Sequence, residues 1–470
     1  MLLKLTAFTL ALAMILVGLA GCALIDKLTG KNTPQDDDNQ PPAEPNKYAI
    51  VYDFEGLDYN QRAAEYIQTK IAEHMNLYTE IVDDSKATDL EYAIVVGETA
   101  LPISKSLNAD CEGFEFALKS EDGMIALEGD YFIIAAAAYY FSKTYIEGKT
   151  EISVPNQSIV RQPIVREAKN FIFLIGDGMG PMQTRLFEAY DVPTEGSTAY
   201  SDGEDIFYGY LFPAIGEART NSLTGTTDSA AGGTALATGY KTYNTVVGRD
   251  KDGNDVTSLT ELAASLGKAT AVMSTESKTG ATPASFSAHA ADRDDKDDIL
   301  ASQRQLTATY GTIIDCAYNY YTANQLKIVE KHITDTLAKV DADTDGFFLM
   351  YEEAHIDKNC HNNLADEAFL ALMRFNQAIG RFMEYAFYNP DTFVIITADH
   401  ETGGLSITDG VCSFASDAHT PTNVPVFAYG YGAERFDGEE IENTQIPKTL
   451  AALMGVSSFG DPTAYGPLTE

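Results

Sequence analysis

Apolar residues are distributed along this chain in three ways. From Leu5 to Ala20 they form an almost unbroken run behind Lys4, closing in small residues before Cys22. A short charged head, an apolar run and small closing residues make a secretory signal, so residues 1–22 are expected to stand outside the folded body. Residues 23–46 are the opposite. KLTGKNTPQDDDNQPPAEPN, from 27 to 46, holds almost no apolar side chain and reads as a flexible tether. From Tyr48 onward, short apolar runs alternate with stretches at helical spacing. Tyr48–Tyr52, Tyr92–Val96, Gly113–Leu118 and Met124–Leu127 predict strands, and Tyr59–His74 and the Ala-rich Tyr131–Tyr145 predict helices. That order predicts a small α+β domain over 47–160.

From about Arg161 the pattern changes. FIFLIGDGMG (171–180), GFFLMYEEAHIDKNCH (346–361) and TFVIITADHETGG (392–404) are apolar runs of strand length that end at once in Gly, Asp, Glu or His. Uninterrupted apolar strands belong to sheets buried on both faces, and open α/β sheets place their sites at the carboxyl ends of such strands. The pattern predicts an α/β domain over 161–470, a central and mainly parallel sheet sandwiched by helices, with one polar site assembled from distant pieces of chain. Residues 294–345 read as a mostly helical insertion near that site, a place for substrate preference.

Composition narrows the function. The chain has 470 residues, 45% of them hydrophobic, which is enough for more than one domain. Its net charge is −37, from 32 Lys+Arg against 69 Asp+Glu. Such a charge excludes non-specific affinity for nucleic acid, and it repels an anionic substrate unless strong positive charge sits at the site. Beyond the signal, no run reaches the ~18 apolar residues of a membrane span. Cys111, Cys316, Cys360 and Cys412 form no CxxC pair; they are given no metal role, and their pairing stays open.

The candidate chemistry sits at the strand ends. Asp177 follows the first apolar run, and Asp399-His400 follow the third. Asp357 and His361 lie four apart, one helical turn, and His419 precedes a further strand. Imidazoles with carboxylates suit Zn²⁺. Residues 224–239, TGTTDSAAGGTALATG, are nearly all small and place Asp228 beside Ser229. A helix beginning at Ser229 would aim backbone N–H groups and its positive dipole end at an anion.

These residues carry a resemblance. Asp177-Gly-Met-Gly, Thr227-Asp228-Ser229-Ala230-Ala231, Ala281-Thr282-Pro283, Glu352 to His361, Thr397-Ala398-Asp399-His400 and His419-Thr420 stand in the order seen in alkaline phosphatases, over about residues 165 to 460. The resemblance implies phosphate-monoester hydrolysis through a phosphoserine formed on Ser229. It implies one Zn²⁺ on Asp177, Asp399 and His400, a second on Asp357, His361 and His419, and Mg²⁺ on Asp177, Thr282 and Glu352. Arg293 would grip phosphoryl oxygens, Asp228 would orient neighbours of the nucleophile, and Lys358 would hold phosphate through water. The resemblance picks Glu352 over its neighbour Glu353, which stands where the pattern has a small residue, and the choice between the two for Mg²⁺ stays open. Gly280 stands where many members carry Asp or His. Among the other histidines, His289 is expected to be structural, His355 to flank the site, and His74 and His332 to lie at the surface.

Two further resemblances concern the front of the chain. Leu19-Ala20-Gly21-Cys22 resembles the lipobox of bacterial lipoproteins, implying acylation of Cys22 and an extracytoplasmic protein anchored to a membrane by lipid. YAIVVGETA and GFEFALKSEDGMIALEGDYFIIAAAAYYF resemble the accessory domain that precedes the barrel of hexosaminidases. A homodimer is left open. So are two rival functions: a phosphodiesterase or nucleotide pyrophosphatase of the same superfamily, and a non-catalytic lipoprotein that binds zinc or phosphate. Thr282, Glu352 and Arg293 favour the monoesterase.

Overall fold

A computed structural model describes residues 44–87, 90–107, 111–190, 206–316 and 324–469. The signal, Cys22 and most of the tether lie outside these described residues. Residues 46–470 form one unit built on two large sheets, with small two-stranded sheets beside them.

The first sheet contains β1 (Ala49–Tyr52), β2 (Ile81–Asp83), β3 (Ala93–Val96), β4 (Phe116–Glu121), β5 (Met124–Glu128) and β6 (Gln157–Arg161), in the spatial order β2-β1-β3-β5-β4-β6. The first four in that order are parallel, and β4 and β6 add antiparallel. Side chains alternate between faces, as a pleated strand requires. Ile50, Ile94, Leu118 and Leu127 join the main core, while Val51, Val95, Ala117 and Ala126 meet Ile103 and Leu107 on the opposite face. Helices α1 (Asp58–Met75) and α2 (Ile134–Tyr145) cover the main-core face. The expected α+β order is present. Two strands, β2 and β6, carry no apolar run in the sequence because both are short and only partly buried.

The second sheet has eight strands. In chain order they are β7 (Asn170–Gly176), β8 (Ala214–Arg219), β9 (Ala269–Ser274), β10 (Ile313–Cys316), β11 (Phe347–Glu353), β12 (Thr392–Thr397), β13 (Val424–Tyr429) and β14 (Glu440–Glu442). The spatial order is β10-β9-β11-β7-β12-β13-β8-β14. The first five are parallel, and β13 runs antiparallel to both β12 and β8. The sheet is therefore mixed but mainly parallel, as expected. Strands β7, β11 and β12 are buried at every position, which is why each reads as an unbroken apolar run.

Helices α3 (Ser229–Thr238), α4 (Leu259–Ser265), α5 (Ala281–Ser285), α6 (Lys296–Tyr310), α7 (Asn324–Val340), α8 (His355–His361) and α9 (Ala365–Tyr388) accompany the second sheet. The segment 294–345, expected as a mostly helical insertion, does supply α6 and α7. It also supplies β10, the edge strand paired to β9. Its strand is short and half-buried, so it has no apolar run to announce it.

One helix joins the two sheets. Most of α9 is buried, including Phe375, Phe382 and Phe387. Phe387 packs edge-on to Phe114 at 5.3 Å and stacks with Phe132 at 5.8 Å, both from the first-sheet region. Tyr388 stacks on Tyr66 of α1 at 4.2 Å, and Arg62 bonds Glu384 at 2.8 Å. The result is one contiguous core across both sheets. Among the described residues, no helix is long and apolar enough to cross a membrane.

Candidate active site and metal centre

Four adjacent parallel strands, β9, β11, β7 and β12, end side by side, and their register sets the site. Ser274 pairs with Glu352, Glu352 with Ile175, and Ile175 with Thr397. Asp177 and Asp399 therefore leave the sheet together, two residues past that line, with Glu352 between the ends of β9 and β7. A polar site at the carboxyl ends of parallel strands is what the sequence pattern predicts. Gly178 makes the closeness feasible. Its φ is +73°, and a Cβ there would lie 2.8 Å from Asp357 Cα.

Ser229 is the first residue of α3 and is buried. Asp228 caps the helix by accepting from the Ala231 N–H at 3.0 Å. Its other oxygen accepts from the Thr245 N–H at 3.0 Å and from Arg293 Nη1 at 3.3 Å. One carboxylate thus positions both the nucleophile's helix and the guanidinium. Arg293 remains partly exposed, its charge secured by Asp228.

The histidines are held in a shared pattern. His361 Nδ1 donates to the Asp417 carbonyl at 2.6 Å, and His419 Nδ1 to the Thr227 carbonyl at 2.8 Å. The Thr402 hydroxyl donates to Asp357 Oδ1, leaving its oxygen to accept from His400 Nδ1 at 3.2 Å. With the proton on Nδ1, each ring presents an Nε2 lone pair inward. His361 and His419 face each other through Nε2 at 3.0 Å, and Asp357 Oδ1 lies 3.3 Å and 3.5 Å from them. His400 Nε2 lies 3.2 Å from Ser229 Oγ, 3.2 Å from Asp399 Oδ2 and 3.5 Å from Asp177 Oδ1.

Lone pairs converging on lone pairs and carboxylates call for a cation. The ligand atoms of Asp357, His361 and His419 all lie within 4.8 Å of one another, and so do those of Asp177, Asp357 and His400. Asp357 stands in both groups. Among the described residues, Asp177 Oδ1, Asp399 Oδ2, Thr282 Oγ1 and Glu352 Oε1 are buried without a hydrogen-bond partner. Buried polar atoms are otherwise almost always paired. Burial and the charges of Asp399 and Asp357 hold the Asp177 carboxyl well above its usual range, and burial with Asp357 pushes Asp399 to about 7. Burial and the neighbouring His419 hold His400 well below an ordinary imidazole. Burial would raise Asp357, but the His419 bond, His400 and Thr402 outweigh it and keep Asp357 low. The donor set therefore fits divalent cations: imidazole with carboxylate for Zn²⁺, and oxygens alone at Thr282 and Glu352 for Mg²⁺.

Glu352 and Glu353 point to opposite faces of β11, as neighbours on a strand must. Arg374 on α9 bonds Glu353 at 3.1 Å, and His355 Nδ1 lies 3.2 Å away. Burial opposes ionisation of Glu353, but Arg374 and His355 lower it to about 2. Glu353 is thus spoken for. Glu352 accepts from the Ser274 hydroxyl and lies near Thr282; burial and the charge of Glu276 push it to about 8. Lys358 is tied to Glu276 at 2.6 Å.

Other histidines sit apart from this centre. His289 bridges the Gly248 carbonyl and Glu261, His332 pairs with Asp315, and His74 is exposed in the last turn of α1. Among the described residues, Cys111, Cys316, Cys360 and Cys412 form no disulfide. Sequence reasoning did not find Thr402, Glu276 or Arg374. The ETGG run beside Asp399-His400 was the available signal for Thr402, while nothing local marked the other two.

The alkaline phosphatase family model matches residues 168–328 and 322–415. Alkaline phosphatase 3 of Bacillus subtilis is 30% identical over 334 residues, covering 59% of this chain and 70% of that one. Alkaline phosphatase 4 of the same organism is 31% identical over 295 residues, and this match spans 63% of its length, under two thirds. The alkaline phosphatase of the Antarctic bacterium TAB5 is 28% identical with a TM-score of 0.52, covering 63% of this chain and 99% of that chain. A variant of the TAB5 enzyme with Mg bound in its M3 site is 29% identical with the same TM-score and coverage. The family match runs from β7 to past β12 in the second sheet, over more than half of the chain, and on those grounds the chain belongs to the alkaline phosphatase family.

Proposed function

We propose that this chain hydrolyses phosphate monoesters with Ser229 as nucleophile, through a phosphoserine intermediate. The observation that supports this reading best is Ser229 itself. Its hydroxyl is buried at the start of a ten-residue helix and lies 3.2 Å from an imidazole nitrogen with an inward lone pair. Asp177, Asp399 and His400 would hold one Zn²⁺, Asp357, His361 and His419 a second, and Asp177, Thr282 and Glu352 Mg²⁺. Bound there, these cations lower the pKa of hydroxyl and water oxygens and offset charge on the phosphoryl group. The Mg²⁺ assignment draws support from the TAB5 variant that binds Mg.

Ser229 Oγ gives up its proton to solvent and attacks phosphorus, forming a new O–P bond as the ester O–P bond breaks, and the alcohol leaves with a proton taken from solvent. Water then attacks phosphorus, the Oγ–P bond breaks, and Ser229 regains its proton as inorganic phosphate departs. The start of α3 presents its positive dipole end to the phosphoryl group. Arg293, braced by Asp228, offers a fork of donors matched to two phosphoryl oxygens. Such a local concentration of positive charge answers the repulsion from an acidic surface, since screening in salt cuts that off beyond about 8–10 Å.

The same proposal extends to the front of the chain. Lys4, the apolar run and Leu19-Ala20-Gly21-Cys22 support cleavage before Cys22, lipid anchoring there and an extracytoplasmic body. Residues 23–46 would be a tether, 47–160 an accessory domain of the hexosaminidase kind, and 161–470 the hydrolase.

The test compares p-nitrophenyl phosphate with bis-p-nitrophenyl phosphate, using chelated full chain restored with Zn²⁺, with and without Mg²⁺. Monoester turnover that needs Zn²⁺ and rises with Mg²⁺ is expected. Ser229→Ala should lower kcat by roughly three orders of magnitude or more. Undiminished turnover in that variant overturns the assignment. A diester preference indifferent to Mg²⁺ moves the chain to the phosphodiesterase reading, and zinc binding with no turnover moves it to the binding lipoprotein.

A further inference from the structure

Glu276 leaves β9 two residues past its end, its backbone N–H donating to Ser274 Oγ at 3.0 Å. The same Ser274 hydroxyl donates to Glu352, so one serine ties the two acids together. The Glu276 side chain turns over Gly280. A Cβ built on Gly280 would meet Glu276 Oε1 at 1.8 Å and its carboxyl carbon at 2.3 Å. The carboxylate therefore fills the space that any side chain at 280 would need. Its other oxygen, Oε2, accepts from Lys358 Nζ at 2.6 Å.

A surface ion pair would explain the contact with Lys358 alone. The surroundings ask for more. Glu276 is mostly buried, with its side chain 17% exposed. Its charge acts on both Asp177 and Glu352. Thr282, two residues past Gly280, is fully buried, and its Oγ1 has no partner among the described residues; the same holds for Glu352 Oε1. Lys358 and Arg293 both act on this group of acids, but Arg293 is already bonded to Asp228, so two cations face four carboxylates: Asp177, Glu276, Glu352 and Asp228.

We propose that Glu276 is a further carboxylate of the Mg²⁺ position, serving from the end of β9 in place of a side chain at 280, with Lys358 holding it there. The inference rests on the reading of Asp177, Thr282 and Glu352 as the residues of that cation. An added carboxylate makes the set all oxygen and rich in charge, which suits a hard cation and disfavours Zn²⁺.

The experiment measures metal content and Mg²⁺ affinity in the full chain, by elemental analysis and by calorimetric titration of Mg²⁺ into zinc-loaded protein. Wild type is expected to carry two Zn²⁺ and one Mg²⁺. Glu276→Gln keeps both Zn²⁺ and loses about 10–100-fold in Mg²⁺ affinity, the range found when a partner of a metal site is removed. Glu276→Ala does the same and also vacates the space over residue 280. Gly280→Asp introduced into the Glu276→Ala protein then restores Mg²⁺ affinity, a recovery that a merely structural role would not produce. Mg²⁺ affinity unchanged in Glu276→Gln overturns the inference alone. Loss of Zn²⁺ together with Mg²⁺ in that variant also overturns it, making Glu276 a support of the whole centre. A wild-type chain that takes up Zn²⁺ and never Mg²⁺ overturns the underlying site reading and the inference with it.

Discussion

At the scale of single residues, proton placement decides what each group can do. His289 illustrates this away from the metal centre. Burial lowers its pKa, but the bond and charge of Glu261 and the Gly248 carbonyl outweigh burial and leave it raised. Glu261 would be raised by burial, yet His289 and the Ser258 groups leave it lowered. The sign follows for each partner. The raised His289 contributes stability fully below its ordinary value near 6.5, and that contribution is lost as pH rises through the folded value. The lowered Glu261 contributes above its ordinary value near 4.3, and that is lost as pH falls. The pair therefore contributes most between them. His289→Gln should cost about 1–2 kcal/mol at pH 5.5 and clearly less at pH 9, by urea unfolding of both proteins at both pH values. An equal cost at the two pH values would refute a charged pair. Residue types at the centre were legible in the sequence, because imidazole and carboxylate in one domain have few other uses. The choice between Glu352 and Glu353 was not. Arg374, on a helix packed against the other face of β11, makes that choice.

Elements were legible in proportion to their burial. Strands β7, β11 and β12 lie inside the sheet and announce themselves as apolar runs. Strands β2, β6 and β10 are edges, short and partly exposed, and their sequences carry no such signal. Helix α9 was the least expected element in its role, since its apolar faces serve two sheets at once. Phe387→Ala should therefore destabilise by about 3–5 kcal/mol, the range for deleting a buried aromatic ring. Because Phe387 meets rings from both sheet regions, the loss should fall on one unfolding transition. Calorimetry resolving a separate, earlier transition for the first sheet would contradict a shared core.

For the whole molecule, the acidic balance and the centre are linked. Carboxylates buried together repel one another until cations join them. Chelation should lower the melting temperature, and Zn²⁺ restored at a hundredfold excess over its Kd should return about 2.7 kcal/mol. A melting temperature indifferent to chelation would mean that no divalent ion stabilises the fold. The sequence by itself determined the α/β class, the strand ends that bear the chemistry, and the kinds of group found there. These are local properties, written in hydrophobic period and residue type. Only the tertiary structure decided which atoms face one another: Nε2 of His361 toward His419, Glu353 toward Arg374, and Glu276 into the space over Gly280. Most of those partners are far apart in the chain, and all are brought together by strand register and helix packing, which no local pattern records.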